Sequence, residues 1–283
     1  MSKSPEAWTF LDMFHFEFIQ RAFVAASVIA IVAGLLSCWL VLIGWSLLGD
    51  AISHAVLPGV VIAYLVGAPF AVGALIAAVI AVGTVGAIRS RTTLREDTAI
   101  GITFTSMFAL GLVLVTISPS GTHLQEILFG NLLGIKDAAF NQVLVFGGVA
   151  FVVMVAARRA LTLWAFDPLH AATLGFNTRF IRWILMLCLA CVVVASAQAV
   201  GVILVVAMLI TPGATAYLLT QKFSVMLVLS PLLAWISCAV GIATSFFWDI
   251  STGGAIVLSQ SALFTLVYLF GKREGVARKL LQN

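Results

Sequence analysis

The chain has 283 residues, of which 62% are hydrophobic and 9% charged, with a formal net charge of +4. Soluble domains carry charge on roughly a quarter of their residues, so this composition excludes a water-soluble globular fold and leaves lipid as the main solvent. The arginines and lysines lie between apolar runs, which makes them a topology signal rather than a nucleic-acid footprint.

Segment 1–17 carries Glu6, Asp12, His15 and Glu17 among its aromatics, lacks the short apolar core of a secretory signal, and reads as an extracytoplasmic segment. Apolar runs follow at 19–44, 49–66, 69–88, 98–117, 139–157, 182–197, 199–219, 225–247 and 254–270. Each is read as a span of the all-α class, against the about 20 residues a helix needs to cross the hydrocarbon core. The stretches either side of Gln198 read equally as one long or broken helix, so the expectation is eight or nine spans in a bundle over 18–271, followed by a cytoplasmic tail, 272–283. Positive charge gathers at Arg89, Arg91 and Arg95, at Arg158, Arg159, Arg179 and Arg182, and at Lys272, Arg273, Arg278 and Lys279. Those segments are expected in the cytoplasm, which puts the N-terminus outside. Small residues within spans, such as Gly73, Ala77, Ala78 and Gly83, allow close helix approach in lipid.

Cys38, Cys188, Cys191 and Cys238 all fall in apolar segments, where thiols act as small buried hydrophobes. Cys188 and Cys191 match a metal-binding pair in spacing alone, with no second pair. The chain has no GxxxxGK[ST] motif, so any ATP used must be bound by another chain.

The segment Gly49-Asp50-Ala51-Ile52-Ser53-His54-Ala55-Val56-Leu57-Pro58-Gly59 places an acid and an imidazole at i and i+4, on one helix face near the start of a span. Ionisable groups at membrane depth are costly and mark polar pathways or interfaces, and a carboxylate with an imidazole suits first-row divalent metals. The bland alternative is that Asp50 caps the helix and His54 makes an ordinary hydrogen bond. Pro58 removes a hydrogen bond to the carbonyl of His54, leaving polar backbone beside the candidate ligand.

A second interruption lies at Met208, Thr211 and Pro212, with Thr215 nearby. It reads either as a gate or as a proline kink satisfied by neighbouring hydroxyls. Between the arginine clusters, Asp167 and Pro168 read as a helix cap and first helical residue, Leu169 and His170 follow, and Leu174 and Gly175 close a short cytoplasmic helix suited to a docking partner or left solvated. On the opposite side, 118–136 holds His123, Glu126 and Phe129 around an apolar patch, a candidate surface for a delivery protein. Asp249 marks an outer helix end.

Together the Asp50 to Gly59 segment, Glu126-Ile127-Leu128-Phe129-Gly130, the Asp167-Pro168 loop and the stretch from Gly201 to Pro212 resemble the ABC-3 membrane permeases of manganese, iron and zinc uptake systems over nearly the whole chain. The resemblance implies a type II-like ABC importer fold in a bacterial plasma (inner) membrane. It implies a permease homodimer, two cytoplasmic ATPase subunits on the coupling loops, and an extracytoplasmic metal-binding protein. It also implies that Asp50 and His54 are the metal ligands, with Mn²⁺, Fe²⁺ or Zn²⁺ as transported substrate and no resident cofactor, and with ATP hydrolysis on the partner. The Met208-Leu209-Ile210-Thr211-Pro212 wording resembles the manganese and iron members. One departure is Leu42-Ile43-Gly44-Trp45-Ser46-Leu47, where relatives often carry arginine. Metal binding requires an ionised Asp50 and a neutral His54, so protonation is expected to oppose it. The competing readings are a chelate permease with a roomy cavity and no metal ligands, a proton-coupled carrier using Asp50 and His54 as a relay, and a membrane scaffold.

Overall fold

The computed structural model describes residues 12–117 and 132–271. Every regular element among them is helical. After a short 3-10 turn at Asp12–His15 come α1 (Glu17–Ile43), α2 (Ser46–Ala55), α3 (Leu57–Val66), α4 (Phe70–Arg91), α5 (Glu96–Ile117), α6 (Asp137–Phe166), α7 (Pro168–Thr173), α8 (Thr178–Val200), α9 (Val202–Leu219), α10 (Phe223–Trp248) and α11 (Thr252–Phe270). Eight crossings among the described residues are long and apolar enough to span a membrane, with α2 and α3 counted as one; the apolar stretch Leu204–Leu219 of α9 is shorter.

The stretches flanking Gln198 are two helices, because Gly201 turns the chain at φ 82° between α8 and α9. The crossing expected at 49–66 begins earlier and is broken. Gly44, at φ 79°, closes α1 through bonds to the carbonyls of Leu40 and Val41, and the chain re-enters a helix at Ser46. The second break falls at Val56, and Pro58 sits in the first turn of α3, where its missing N–H has no partner to lose.

Two arginine clusters also differ from the expectation of loops. Arg158 and Arg159 lie inside α6, which runs on to Phe166, since arginine is a good helix former and buried Leu161 and Trp164 continue the packed face. Arg179 and Arg182 occupy the first turns of α8, whose N-terminus is capped by Asn177 accepting from the Phe180 N–H at 3.1 Å.

α1 lies centrally, packed on α6, α9 and α10. Its contact with α10 is close because Gly34 has only hydrogen facing the backbone of Pro231, and the Ser230 hydroxyl donates to the Gly34 carbonyl at 2.6 Å. α3 and α4 meet at Gly59 and Gly73, where a methyl group on either would collide with the other's carbonyl oxygen. Such small-residue crossings supply the van der Waals contact that drives helix association in lipid. At the ends of α1 and α6, Arg21 pairs with Asp137 and its guanidinium lies 5.4 Å from the Phe140 ring centroid, so both helices begin on one side of the bundle.

Candidate metal site

Asp50 and His54 lie in the second and third turns of α2. Trp45, not Asp50, is the N-cap residue of that helix, so the capping alternative fails. One helical turn brings the carboxylate Oδ1 of Asp50 within 3.5 Å of Nε2 of His54, and both side chains are partly exposed in the single chain. The opposite ring nitrogen, Nδ1 of His54, is buried and has no hydrogen-bond partner. A buried polar atom left unpaired is costly. The imidazole is therefore held in place by packing rather than by hydrogen bonding.

That packing comes from α5. Phe104 and Phe108 stack on each other with centroids 5.9 Å apart and stand 5.4 Å and 5.3 Å from the imidazole centroid. The two rings restrict the imidazole and keep water from one side of it. Sequence reasoning missed them, although their i and i+4 spacing on an apolar helix was a usable signal. The α2 backbone is seated by Gly49, which faces the Leu209 side chain of α9 so closely that a Cβ would come within 2.8 Å of its Cδ1. Ser53 donates its hydroxyl to the Gly49 carbonyl at 2.8 Å.

No third His, Cys, Asp or Glu joins Asp50 and His54 among the described residues. Two candidate ligands per chain are fewer than a divalent first-row ion requires, and the partial exposure of both side chains would leave the remaining positions open to water or to groups from another chain. Asp249 ends α10 in a left-handed conformation, exposed, in the turn to α11.

Met208 and Pro212 are buried within an uninterrupted α9. Beside Pro212, α1 bonds to the α9 backbone: the Gly213 N–H donates to Ser37 Oγ at 3.0 Å, and the Ser37 hydroxyl donates to the Ile210 carbonyl at 3.3 Å. The Thr215 hydroxyl donates to the Thr211 carbonyl at 2.7 Å. Cys188 is buried in α8 with Cys191 one turn on, and neither joins a metal cluster among the described residues.

Asp167 caps α7, its carboxylate accepting from the His170 N–H at 2.9 Å, and Pro168 takes the first helical position. Gly175 leaves the helix at φ 85°. Ala171 packs inward, whereas Leu169 is 81% and Leu174 57% exposed. Phe166 and Phe176 extend this apolar surface. Glu126, Phe129 and His123 lie outside the described residues.

The model of the ABC 3 transport family matches residues 15–271. The chain is 43% identical over 270 residues to the manganese transport system membrane protein MntB of Synechocystis sp., covering 95% of this chain and 88% of that one. It is 43% identical over 259 residues to the chelated iron transport system membrane protein YfeD of Yersinia pestis, covering 92% and 87%. The solved structure of PsaBC from Streptococcus pneumoniae in complex with Fab superposes with a TM-score of 0.86 at 36% identity, covering 97% of this chain and 99% of that one. Matched from the first turn before α1 to the end of α11, this multi-pass membrane protein belongs to the ABC 3 transport family.

Proposed function

We propose that the chain is the membrane-spanning permease of an ATP-driven importer of a divalent transition metal, manganese or iron, in a bacterial plasma membrane. The observation that carries this reading is the Asp50–His54 pair, 3.5 Å apart on α2, with one side of its imidazole packed against the Phe104 and Phe108 rings. Relatives named for manganese and for chelated iron transport support the cargo. Oxygen and nitrogen ligands without thiolate suit both ions.

Because one chain offers two ligands, the site is completed in a permease homodimer, where two copies of Asp50 and His54 face one ion. The carboxylate supplies charge that offsets part of the cost of bringing a dication into the bundle. The imidazole binds as the neutral base, so protons compete with the metal. A small ligand set held loosely gives transient binding, which release on the far side requires.

The capped helix α7 and its exposed apolar side chains Leu169 and Leu174 form the docking surface for two cytoplasmic ATP-binding subunits. Glu126 and Phe129 belong to the face that receives an extracytoplasmic metal-binding protein. Pro58 on α3 and Met208, Thr211 and Pro212 on α9 are the pore or gate residues beside the metal-site helix.

Competitive uptake of labelled Mn²⁺, Fe²⁺ and Zn²⁺ in cells supplying the ATPase and delivery protein tests the proposal. Asp50→Ala and His54→Ala, at matched expression, are expected to abolish uptake of the cargo metal. Unchanged uptake in both variants would remove the pair from the mechanism. Uptake that persists without the ATPase but collapses with an uncoupler would identify a proton-coupled carrier instead.

A further inference from the structure

Beside the cytoplasmic docking helix, a cavity of about 530 Å³ opens between α4, the end of α6 and the start of α8. Its α4 wall is Gly83, Gly86, Ala87 and Ser90, and its α8 wall includes Arg179, Arg182 and Trp183. The α4 wall is not a packed helix contact. A Cβ placed on Gly86 would meet nothing within 4 Å, and one on Gly83 would meet only the Trp183 ring at 3.9 Å. Glycine within a helix costs about 1 kcal/mol relative to alanine, and at Gly86 no close helix approach compensates for it. What the missing side chain leaves is volume.

The two ends of this volume differ in chemistry. Toward the cytoplasm stand Arg179, Arg182 and the hydroxyl-bearing Ser90 and Thr178. The Arg182 guanidinium is oriented by stacking 5.8 Å from the Trp45 and 6.0 Å from the Trp164 ring centroids. The nearest carboxylate in sequence to the lining residue Pro168, that of Asp167, is occupied in capping α7. Toward the membrane centre, Val72, Ile76 and Ile80 are each half-exposed. Steps of three and four residues put them on the same face of α4 as Gly83, Ala87 and Ser90. An apolar track on the outside of the helix therefore runs into a basic cavity at the level of the cytoplasmic leaflet, with Trp183 at its edge as at other membrane interfaces.

We infer that this cavity is a binding site for an anionic glycerophospholipid, its phosphodiester headgroup lodged between Arg179 and Arg182 and its acyl chains lying along Val72, Ile76 and Ile80. The volume falls in the range of small-ligand cavities, and basic pockets between spans on the cytoplasmic side suit acidic headgroups.

The test is native mass spectrometry of the permease solubilised with its partner subunits from membranes of phosphatidylcholine and phosphatidylglycerol. Wild type should retain phosphatidylglycerol in preference to phosphatidylcholine. Gly86→Leu, whose Cβ would meet nothing within 4 Å and whose side chain would occupy the cavity, and Arg179→Gln should each lower retention by about five-fold at unchanged melting temperature. Undiminished retention in Gly86→Leu would overturn the site. If inorganic phosphate instead binds saturably, displaces nothing, and is lost in Arg179→Gln, the cavity holds a free anion and the lipid assignment fails. Retention by the permease alone that disappears on adding the ATPase would show the cavity to be a protein-docking socket, which also overturns it.

Discussion

Trp45 and Trp164 meet edge to face, ring centroids 5.7 Å apart and both buried, so the residue that opens the helix of Asp50 and His54 leans on a residue three before the cap of α7. Arg182 lies over both rings. This is the contact through which the end of α6 nearest α7 touches the helix of Asp50 and His54.

Truncating that contact should loosen both ends. Trp164→Ala is expected to cost about 3–5 kcal/mol from lost burial and the cavity left behind, whereas Trp164→Phe should keep most of the contact. Melting of the purified protein gives the first number. Metal uptake per folded molecule gives the second, and it should fall in Trp164→Ala more than in Trp164→Phe. Equal uptake and equal melting would dismiss the contact as incidental.

Ser37→Ala removes a hydroxyl that serves two backbone groups of α9, the Gly213 N–H and the Ile210 carbonyl. Gly213 lies inside α9 and keeps its intrahelical position, so the expected cost is that of the lost side-chain bonds, about 0.5–1.5 kcal/mol. A melting temperature indistinguishable from wild type would mean that α9 relaxes and finds another bond.

Gly59→Val should prevent α3 from seating on α4, because any side chain there meets the Gly73 carbonyl. Gly148→Ala is the control. A Cβ at Gly148 has open space, so that change should be neutral or stabilising by up to about 1 kcal/mol. The yield of monodisperse protein from membranes separates the two, and a normal yield for Gly59→Val would contradict the crossing.

Leu169→Asp places a charge on the most exposed apolar residue of α7 without touching the bundle. The permease should fold and bind metal normally while its co-purification with the ATPase falls by about ten-fold or more, in line with loss of a buried interface anchor. Full co-purification would move the docking surface elsewhere.

Much of this architecture is legible in the sequence because lipid simplifies the problem. Long apolar runs locate the crossings, and the four-residue step from Asp50 to His54 puts both groups on one face. The Asp167-Pro168 pair likewise announces its cap, since the hydrogen bond to His170 is local. What stays hidden depends on helices far apart in the chain. Phe104 and Phe108 look like any apolar pair until α5 lies against α2, and Trp45 shows no sign of Trp164. Arg158 and Arg159 do not end α6, because charge sets the membrane level and not the helix boundary.

The interruption at Val56 separates two close contacts made by one membrane crossing. Below it, α2 is fitted to α9 at Gly49 and Leu209; above it, α3 is bolted to α4 through Gly59 and Gly73. α5 packs along both segments, so the two halves of the crossing rest on one support. Asp50 and His54 both ride on the α2 segment, one helical turn apart, so their spacing is set within that segment alone.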